Sequence, residues 1–579
     1  MSMIQKLFPF LRWWPLSGEN LRADLIAGIT VALVLIPQSM AYAQLAGLPA
    51  YYGLYAAFLP GIIAALWGSS NQLATGPVAV VSLLTASALM PFAALGSEQF
   101  VALAILLALL VGLFQLSLGL LRLGVVVNFL SHPVIVGFTN AAALIIGLSQ
   151  LNKIFGVDKP RSESFANDIL AVLAQIPESH LPTLAMGLTA IGIMFYMKKK
   201  VPKFPGVLVA VVATTVASFL MGFAEMGGSV VGEIPSGLPS VAMPVLDMSV
   251  LGALISSAVV ISLVGFMEAI SIAKAMAAKT KDRIDPNQEL IGQGLGNIFG
   301  SFTQSYPTSG SFSRSAVNLN AGARTGMSAV FTGLVVMITL LFLTPLLYHL
   351  PSAVLAAVIM MAVFGLINFK AVAHAWRANK HDGTASVVTF VATLGFAPHL
   401  DKGIMVGAVL AILLYLYRTM RPRVAILGRY GDGTLRDLKV HPDLPTDSRI
   451  IAVRFDGSLY FANVSYFEDA ILEAVSRQPS AKFVLVVGDG INQLDASGEE
   501  VLHHLVERLK DAGVTLVFSG LKRQVLEVMR HTSLFEAIGR DCIYATETMA
   551  LNAIYEWLKV DDADGTFCPL KPQTADAPV

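Results

Sequence analysis

Arg314, within Ser313-Arg314-Ser315, carries the most specific chemistry in this 579-residue chain. A guanidinium stays protonated and offers a rigid fork of donors suited to oxyanions. It falls just inside a helix start that follows the Gly/Ser/Pro-rich stretch Gly300–Gly310. An ionisable side chain at membrane depth marks a functional site, unless it snorkels from a span end to the interface. Glu268 is the second such residue, inside the apolar run Val259–Ala273. There the charged form of a carboxylate is the costly one, which suits the group to proton exchange. The alternative is a structural carboxylate paired with Arg314 or Lys274. Gln38 and Tyr42 follow Pro37 at a spacing of four and share one helix face. An amide and a phenol both donate to anions, and equally pack against neighbouring helices.

Composition says what must position these groups. The chain is 55% hydrophobic and 13% charged, with mean hydropathy +0.68. Soluble chains carry about 25% charged residues, so this one has too few to cover a water-facing surface. No Asp, Glu, Lys or Arg lies between Asp24 and Glu98, or between Arg324 and Lys370. A spanning helix takes about 20 apolar residues, so each interval holds two or more spans. Apolar runs and their punctuation mark 14 segments: 23–45, 50–68, 75–91, 98–121, 124–150, 181–198, 203–223, 251–278, 287–301, 312–322, 325–346, 350–367, 383–398 and 402–419. Arg12, Arg22, Lys198, Lys199, Lys200, Lys203, the basic residues from Lys274 to Arg283, and Arg418, Arg421 and Arg423 assign their ends to the cytoplasm. An even count puts both termini there. The polar stretch 152–180, with Lys153, Asp158, Lys159 and Arg161, falls outside the cell.

Two segments depart from the ordinary pattern. Gly68-Ser69-Ser70-Asn71-Gln72-Leu73-Ala74-Thr75-Gly76-Pro77 leads into Val78–Leu84, and Gly300–Gly310 leads into Ser311–Ser315. Both begin Gly-Ser, place Gln four residues after that Gly, and reach Gly and Pro before a new helix. Each is the third segment of a seven-span half, the pointer to inverted repeats. Extended backbone at membrane depth is tolerated only where protein buries it or a wet cavity adjoins it. A helix starting there directs free N–H groups and a positive dipole end into that cavity, and two facing starts attract an anion. The competing reading is a pair of polar loops outside the bilayer.

From about Arg421 the chain turns charged and alternates strand with helix. Strands are expected at Arg449–Phe455, Ser458–Phe461, Lys482–Gly488 and Val514–Phe518, and helices at Ser497–Ala512, Leu521–Arg530 and Thr548–Leu558. Together they make one α/β unit of about 120 residues, followed by a disordered tail. Ser497 with Glu500 has the spacing of a capping box; the functional alternative is regulatory phosphorylation of Ser497. The 39 basic and 39 acidic residues balance, which argues against a nucleic-acid partner. Cys542 and Cys568 both lie in the polar C-terminal part, which gives no disulfide framework and points to a reducing cytosolic setting. No P-loop, metal-spaced Cys/His cluster or nucleophile elbow occurs. No metal, cofactor, ATP-driven transport or enzymatic activity is therefore expected, and no cleavable leader precedes the first span.

At this point the motifs bear a likeness to a known family. Ile36-Pro37-Gln38-Ser39-Met40-Ala41-Tyr42-Ala43, then Tyr52-Gly53-Leu54-Tyr55-Ala56-Ala57 with Gly68-Ser69-Ser70, then Gly310-Ser311-Phe312-Ser313-Arg314-Ser315-Ala316-Val317-Asn318 resemble the SulP sulfate permeases. Asp495-Ala496-Ser497-Gly498 is similar to the STAS domain shared by sulfate transporters and anti-sigma-factor antagonists. The likeness covers nearly the whole chain. It implies a polytopic α-helical membrane protein of 14 spans in two inverted seven-span repeats, divided into core and gate domains and followed by a soluble α/β STAS domain. Members are usually dimers and move substrate by an elevator-like shift of the core.

The corresponding boundaries are 1–22 for a cytoplasmic N-terminal segment, 23–420 for anion transport, 436–560 for a cytoplasmic STAS domain and 561–579 for the tail. Carried over by motif, the substrate site comprises Gln38, Tyr42, Thr75, Gly76, Val78, Phe312, Ser313 and Arg314. Glu268, in Met267-Glu268-Ala269-Ile270, matches the eighth-helix carboxylate that couples protons in plant-type sulfate transporters, whereas sodium-coupled bicarbonate members have Asp at this site. Two positions depart from the pattern. Asn71 stands where members often have a basic residue, and STAS domains of transporters often lack a working phosphosite at the position of Ser497. The expectation is proton-coupled sulfate uptake across the inner or plasma membrane, by a homodimer with both termini cytoplasmic. The alternatives are bicarbonate or C4-dicarboxylate symport or anion exchange within the family. A membrane-anchored sensor or scaffold, signalling to a protein partner through the STAS domain, is the alternative of another class.

Overall fold

A computed structural model describes residues 8–124, 131–158, 165–201, 205–246, 248–559 and 568–571. Lys159, Arg161, Lys203 and most of the expected tail lie outside the described residues. The chain divides into two compact units, residues 1–411 and 412–579.

The first unit is helical. Its principal helices are α1 (Gly18–Leu45), α2 (Tyr51–Trp67), α3 (Ala79–Leu89), α4 (Glu98–Leu120), α5 (His132–Ser149), α6 (Leu181–Lys200) and α7 (Gly206–Leu220). They continue as α8 (Leu251–Thr280), α9 (Pro286–Phe302), α10 (Phe312–Asn320), α11 (Met327–Ile338), α12 (Ser352–Phe364) and α13 (Lys380–Gly395), with α14 (Leu400–Met420) running past residue 411. Among the described residues eight helices are long and apolar enough to cross a bilayer. The segments expected at 75–91 and 312–322 are different: α3 has 11 residues and α10 has 9. At 1.5 Å per residue these reach about 16 and 13 Å, roughly half the hydrocarbon thickness. They are half-helices, each preceded by extended backbone.

That backbone is paired. β1 (Ala74–Gly76) and β2 (Ser309–Ser311) form an antiparallel ribbon with Ala74 opposite Ser311, Thr75 opposite Gly310 and Gly76 opposite Ser309, and all six residues are buried. Two unwound segments far apart in sequence thus satisfy one another where no water is available to do so. Helix α9 is wedged between α2 and α4 by small residues. A Cβ at Gly292 would lie 2.6 Å from Gly68 Cα, and one at Gly294 would lie 2.6 Å from Leu116 N. Close backbone approach of this kind is how helices associate when lipid removes the hydrophobic drive.

The second unit is an α/β domain. Strands β3 (Val424–Arg429), β4 (Leu435–Asp437), β5 (Ile450–Phe455), β6 (Phe483–Val487), β7 (Thr515–Ser519) and β8 (Ile543–Tyr544) form one sheet, ordered β4-β3-β5-β6-β7-β8. β5 to β8 run parallel, and β3 and β4 antiparallel at one edge. Alternation along β5 divides the core between the faces. Ile451, Val453 and Phe455 meet α15 (Val464–Arg477), α16 (Ala496–Asp511) and α17 (Arg523–His531). Ile450 and Ala452 meet α18 (Glu547–Trp557).

Three local expectations are corrected. Ser458–Phe461 is not a strand; only Leu459 bridges, to Leu494. The cap of α16 is Asp495, which accepts from Gly498 N at 2.8 Å and from Phe461 N at 2.9 Å, so Ser497 lies inside the first turn and caps nothing. Within the tail expected to be disordered, Cys568 and Leu570 are buried against α18. Leu570 N donates to Tyr555 Oη at 3.1 Å, and Tyr555 Oη donates to Asp447 Oδ2 at 3.0 Å. An apolar side chain and a backbone donor thus both find partners on the domain surface, which offsets the entropy of ordering.

Candidate functional site

The β1–β2 ribbon aims two helix starts at one place. The residue before each helix, Val78 for α3 and Ser311 for α10, gives no side-chain cap to the first turn. By contrast, Ser17 caps α1, Ser97 caps α4 and Asp285 caps α9. First-turn amides without caps leave the positive helix end open to a ligand.

In front of these starts lies a cavity of about 430 Å³. One wall is Val34, Gln38 and Tyr42 of α1, Val78, Ala79 and Val80 at the start of α3, Glu268 of α8, and Ser311, Phe312, Ser313 and Val317 around α10. The other is Met194 and Lys198 of α6, Pro205, Gly206 and Val207 at the start of α7, and Val358, Met361 and Ala362 of α12 with Gly365 and Leu366 after it. Of the expected site residues, Gln38, Tyr42, Val78, Phe312, Ser313 and Glu268 line it. Thr75, Gly76 and Arg314 do not. In the sequence Lys198 carries meaning only for orientation and Ser311 only as part of the motif before Arg314; the structure adds both to the cavity lining.

Arg314 stands behind the wall, with none of its surface exposed. Nη1 donates to Gln38 Oε1 at 3.0 Å, while Nε and Nη2 are buried without a hydrogen-bond partner. Gly76 makes room for it, since a Cβ there would lie 3.4 Å from Nη2. With its oxygen taken by Arg314, Gln38 must turn its amide nitrogen the other way, and Nε2 donates to Tyr42 Oη at 3.0 Å. The phenol then has its own proton to present to the cavity. Glu268 Oε2 has no hydrogen-bond partner, and among the described residues Glu268 pairs with neither Arg314 nor Lys274. The structural pairing weighed for this carboxylate is absent there.

A ladder on α9 fixes both unwound segments. Glu289, Gln293 and Asn297, spaced by four, share a face. Glu289 Oε2 accepts from Ser69 N at 2.8 Å, Ser69 Oγ at 3.0 Å and Ser70 N at 3.0 Å. Gln293 Nε2 donates to Thr75 Oγ1 at 2.7 Å. Asn297 Oδ1 accepts from Thr308 N at 2.8 Å, and its Nδ2 donates to Thr308 O at 3.2 Å. Thr75 is therefore a support of the ribbon. Removing Glu289 would strand two buried backbone donors, at about 1–3 kcal/mol each. Glu289→Ala is expected to lower the melting temperature of the detergent-solubilised protein and to abolish anion flux, with Glu289→Gln less affected. An alanine variant as stable as wild type would remove the ladder from the account.

The fold defines a polytopic helical membrane transporter followed by a small α/β domain. Residues 21–389 match the sulfate permease family and residues 441–550 the STAS domain. The chain is 38% identical to the probable sulfate transporter 4.2 of Arabidopsis thaliana, covering 93% of this chain and 82% of that one. It is 33% identical to the high affinity sulfate transporter 2 of Stylosanthes hamata, covering 94% and 85%. Among solved structures it resembles the murine Solute Carrier 26 family member A9 anion transporter in the inward-facing state, with TM-score 0.87, 25% identity and coverage of 95% and 94%. It also resembles the transmembrane domain of the cyanobacterium bicarbonate transporter BicA, with TM-score 0.58, 25% identity and coverage of 69% and 98%. The chain belongs to the sulfate permease family; it is an anion transporter and not an enzyme.

Proposed function

We propose that the chain takes up sulfate together with protons across the inner or plasma membrane, as a homodimer with both termini in the cytoplasm. The observation that carries this reading is the pair of uncapped helix starts meeting at the β1–β2 ribbon, with the partner-poor Arg314 behind them. Gln38, Tyr42, Ser313 and the amides that follow Val78 and Ser311 receive the anion; Thr75, Gly76 and Arg314 act from behind the wall. Glu268 takes the proton. Its relatives named as sulfate transporters, matched over nearly the whole chain, support sulfate as the anion.

The fourteen segments form two inverted repeats of seven. The wall built from α1, α3, α8 and α10 is the moving core, and the wall built from α6, α7 and α12 is the gate. In proteoliposomes, uptake of labelled sulfate is expected to rise with an inward proton gradient and to be competed poorly by bicarbonate or succinate. Strong competition by either would reassign the substrate. No flux of any of the three, with tight capture of a protein partner by the α/β domain, would favour a sensor instead.

A further inference from the structure

We infer that Lys198, on the gate wall, is an anion-recruiting and affinity-setting residue that works from opposite the helix ends. The inference rests on the anion-transport reading and names a further residue of the same site. Among the described residues only two charged side chains line the cavity, Glu268 on one wall and Lys198 on the other. Arg314, whose charge defines the site, is wholly covered. Among the described residues, Lys198 is therefore the cation that the cavity presents directly to an incoming anion.

The position of Lys198 suits that task. It lies on the last turn of α6, four residues after Met194, which lines the same cavity. One helix face thus gives an apolar lining residue and then a charged head at the solvent end. Lys198 itself is exposed. Its neighbours Lys199 and Lys200 continue the same basic turn but do not line the cavity. Beside it on the same wall come Pro205 and Gly206, which packs against Met197, and neither carries a charge to neutralise the ammonium. A cation at the rim of a cavity with low-dielectric walls concentrates anions there and raises their rate of entry, an effect that falls with ionic strength. Because the residue belongs to the wall opposite the helix starts, its attraction counts fully only while the cavity is open on that side.

The test is calorimetric titration of sulfate into the purified full-length protein in detergent, at low and high ionic strength. Lys198→Gln is expected to weaken binding roughly three- to tenfold at low salt and to flatten the salt dependence. Lys198→Arg, which keeps the charge, should match wild type. Lys199→Gln, one residue along and outside the cavity, should leave affinity unchanged and so controls for general surface charge. Melting temperature should be the same in all four proteins, because an exposed side chain is being exchanged. If Lys198→Gln binds sulfate as wild type does, with the same salt dependence, the inference is wrong while the transport reading stands. An equal effect of Lys199→Gln would also overturn it. Wild type that binds none of sulfate, bicarbonate and succinate would sink the transport reading, and this inference with it.

Discussion

Arg314→Met is expected to melt at a higher temperature than wild type when empty, and to lose the further stabilisation that sulfate gives wild type. Both effects follow from one fact: the guanidinium is fully covered, and only one of its three nitrogens has a partner. A buried charge without a counterion costs several kcal/mol, and apolar side chains of similar volume often replace even buried ion pairs with a gain of about 1–4 kcal/mol. A bound divalent anion supplies the missing counter-charge. At an effective dielectric of about 20 and a separation of about 8 Å, one unit pair is worth about 2 kcal/mol, or roughly 30-fold in affinity. Loss of the bond that orients Gln38, and through it Tyr42, adds to this. Sulfate should raise the melting temperature of wild type, as any ligand confined to the folded state does, and leave Arg314→Met unmoved. Arg314→Lys should keep part of the effect, since charge survives but the fork does not. A methionine variant that melts lower than wild type, yet gains as much from sulfate, would show that the arginine is structural.

How far the sequence foretold this arrangement depends on the range of the interactions. The interrupted segments were legible because a dense cluster of Gly, Pro and Ser breaks a spanning helix, a local property. That Ala74–Gly76 would pair with Ser309–Ser311 was not legible, because antiparallel register across the chain has no local signature. Arg314 was conspicuous as a charge in an apolar setting. Its placement behind Gln38, and that of Thr75 within the ribbon and turned toward Gln293, depends on which way helices and strands turn, and spacing alone does not fix that.

The α9 ladder did leave a signal. Glu289, Gln293 and Asn297 form a polar stripe at helical period in a segment otherwise rich in glycine, and it went unread because the segment passed as one more span. Helix α15 was missed in the α/β unit because its first residues, Val464 to Phe467, follow directly on an aromatic run that imitates a strand. Ser497 looked like the cap because its spacing to Glu500 was right. Asp495, two residues earlier, has the extended backbone and the acceptor that α16 requires.

Glu268→Gln should transport sulfate while ignoring the proton gradient. Among the described residues Glu268 is the only carboxylate that lines the cavity, and it shares that cavity with the helix starts and the field of Arg314. When ionised, it opposes that field and repels an incoming anion; when protonated, it leaves the field intact. Anion and proton therefore each favour the binding of the other, and by linkage the coupling is reciprocal. For a single linked proton, log KM for sulfate should climb with pH toward a slope of about one as the carboxylate ionises. Glutamine has the shape and charge of the protonated form at every pH, so the variant should hold a flat KM near the low-pH value of wild type. Its uptake should respond to the sulfate gradient alone. Glu268→Asp, which keeps a titrating group, should keep a pH-dependent KM even if its rate falls. Uptake by Glu268→Gln with an unchanged pH profile would move the coupling proton elsewhere, and Tyr42 would be the next group to test, since it is the other dissociable acid among the described residues of that wall.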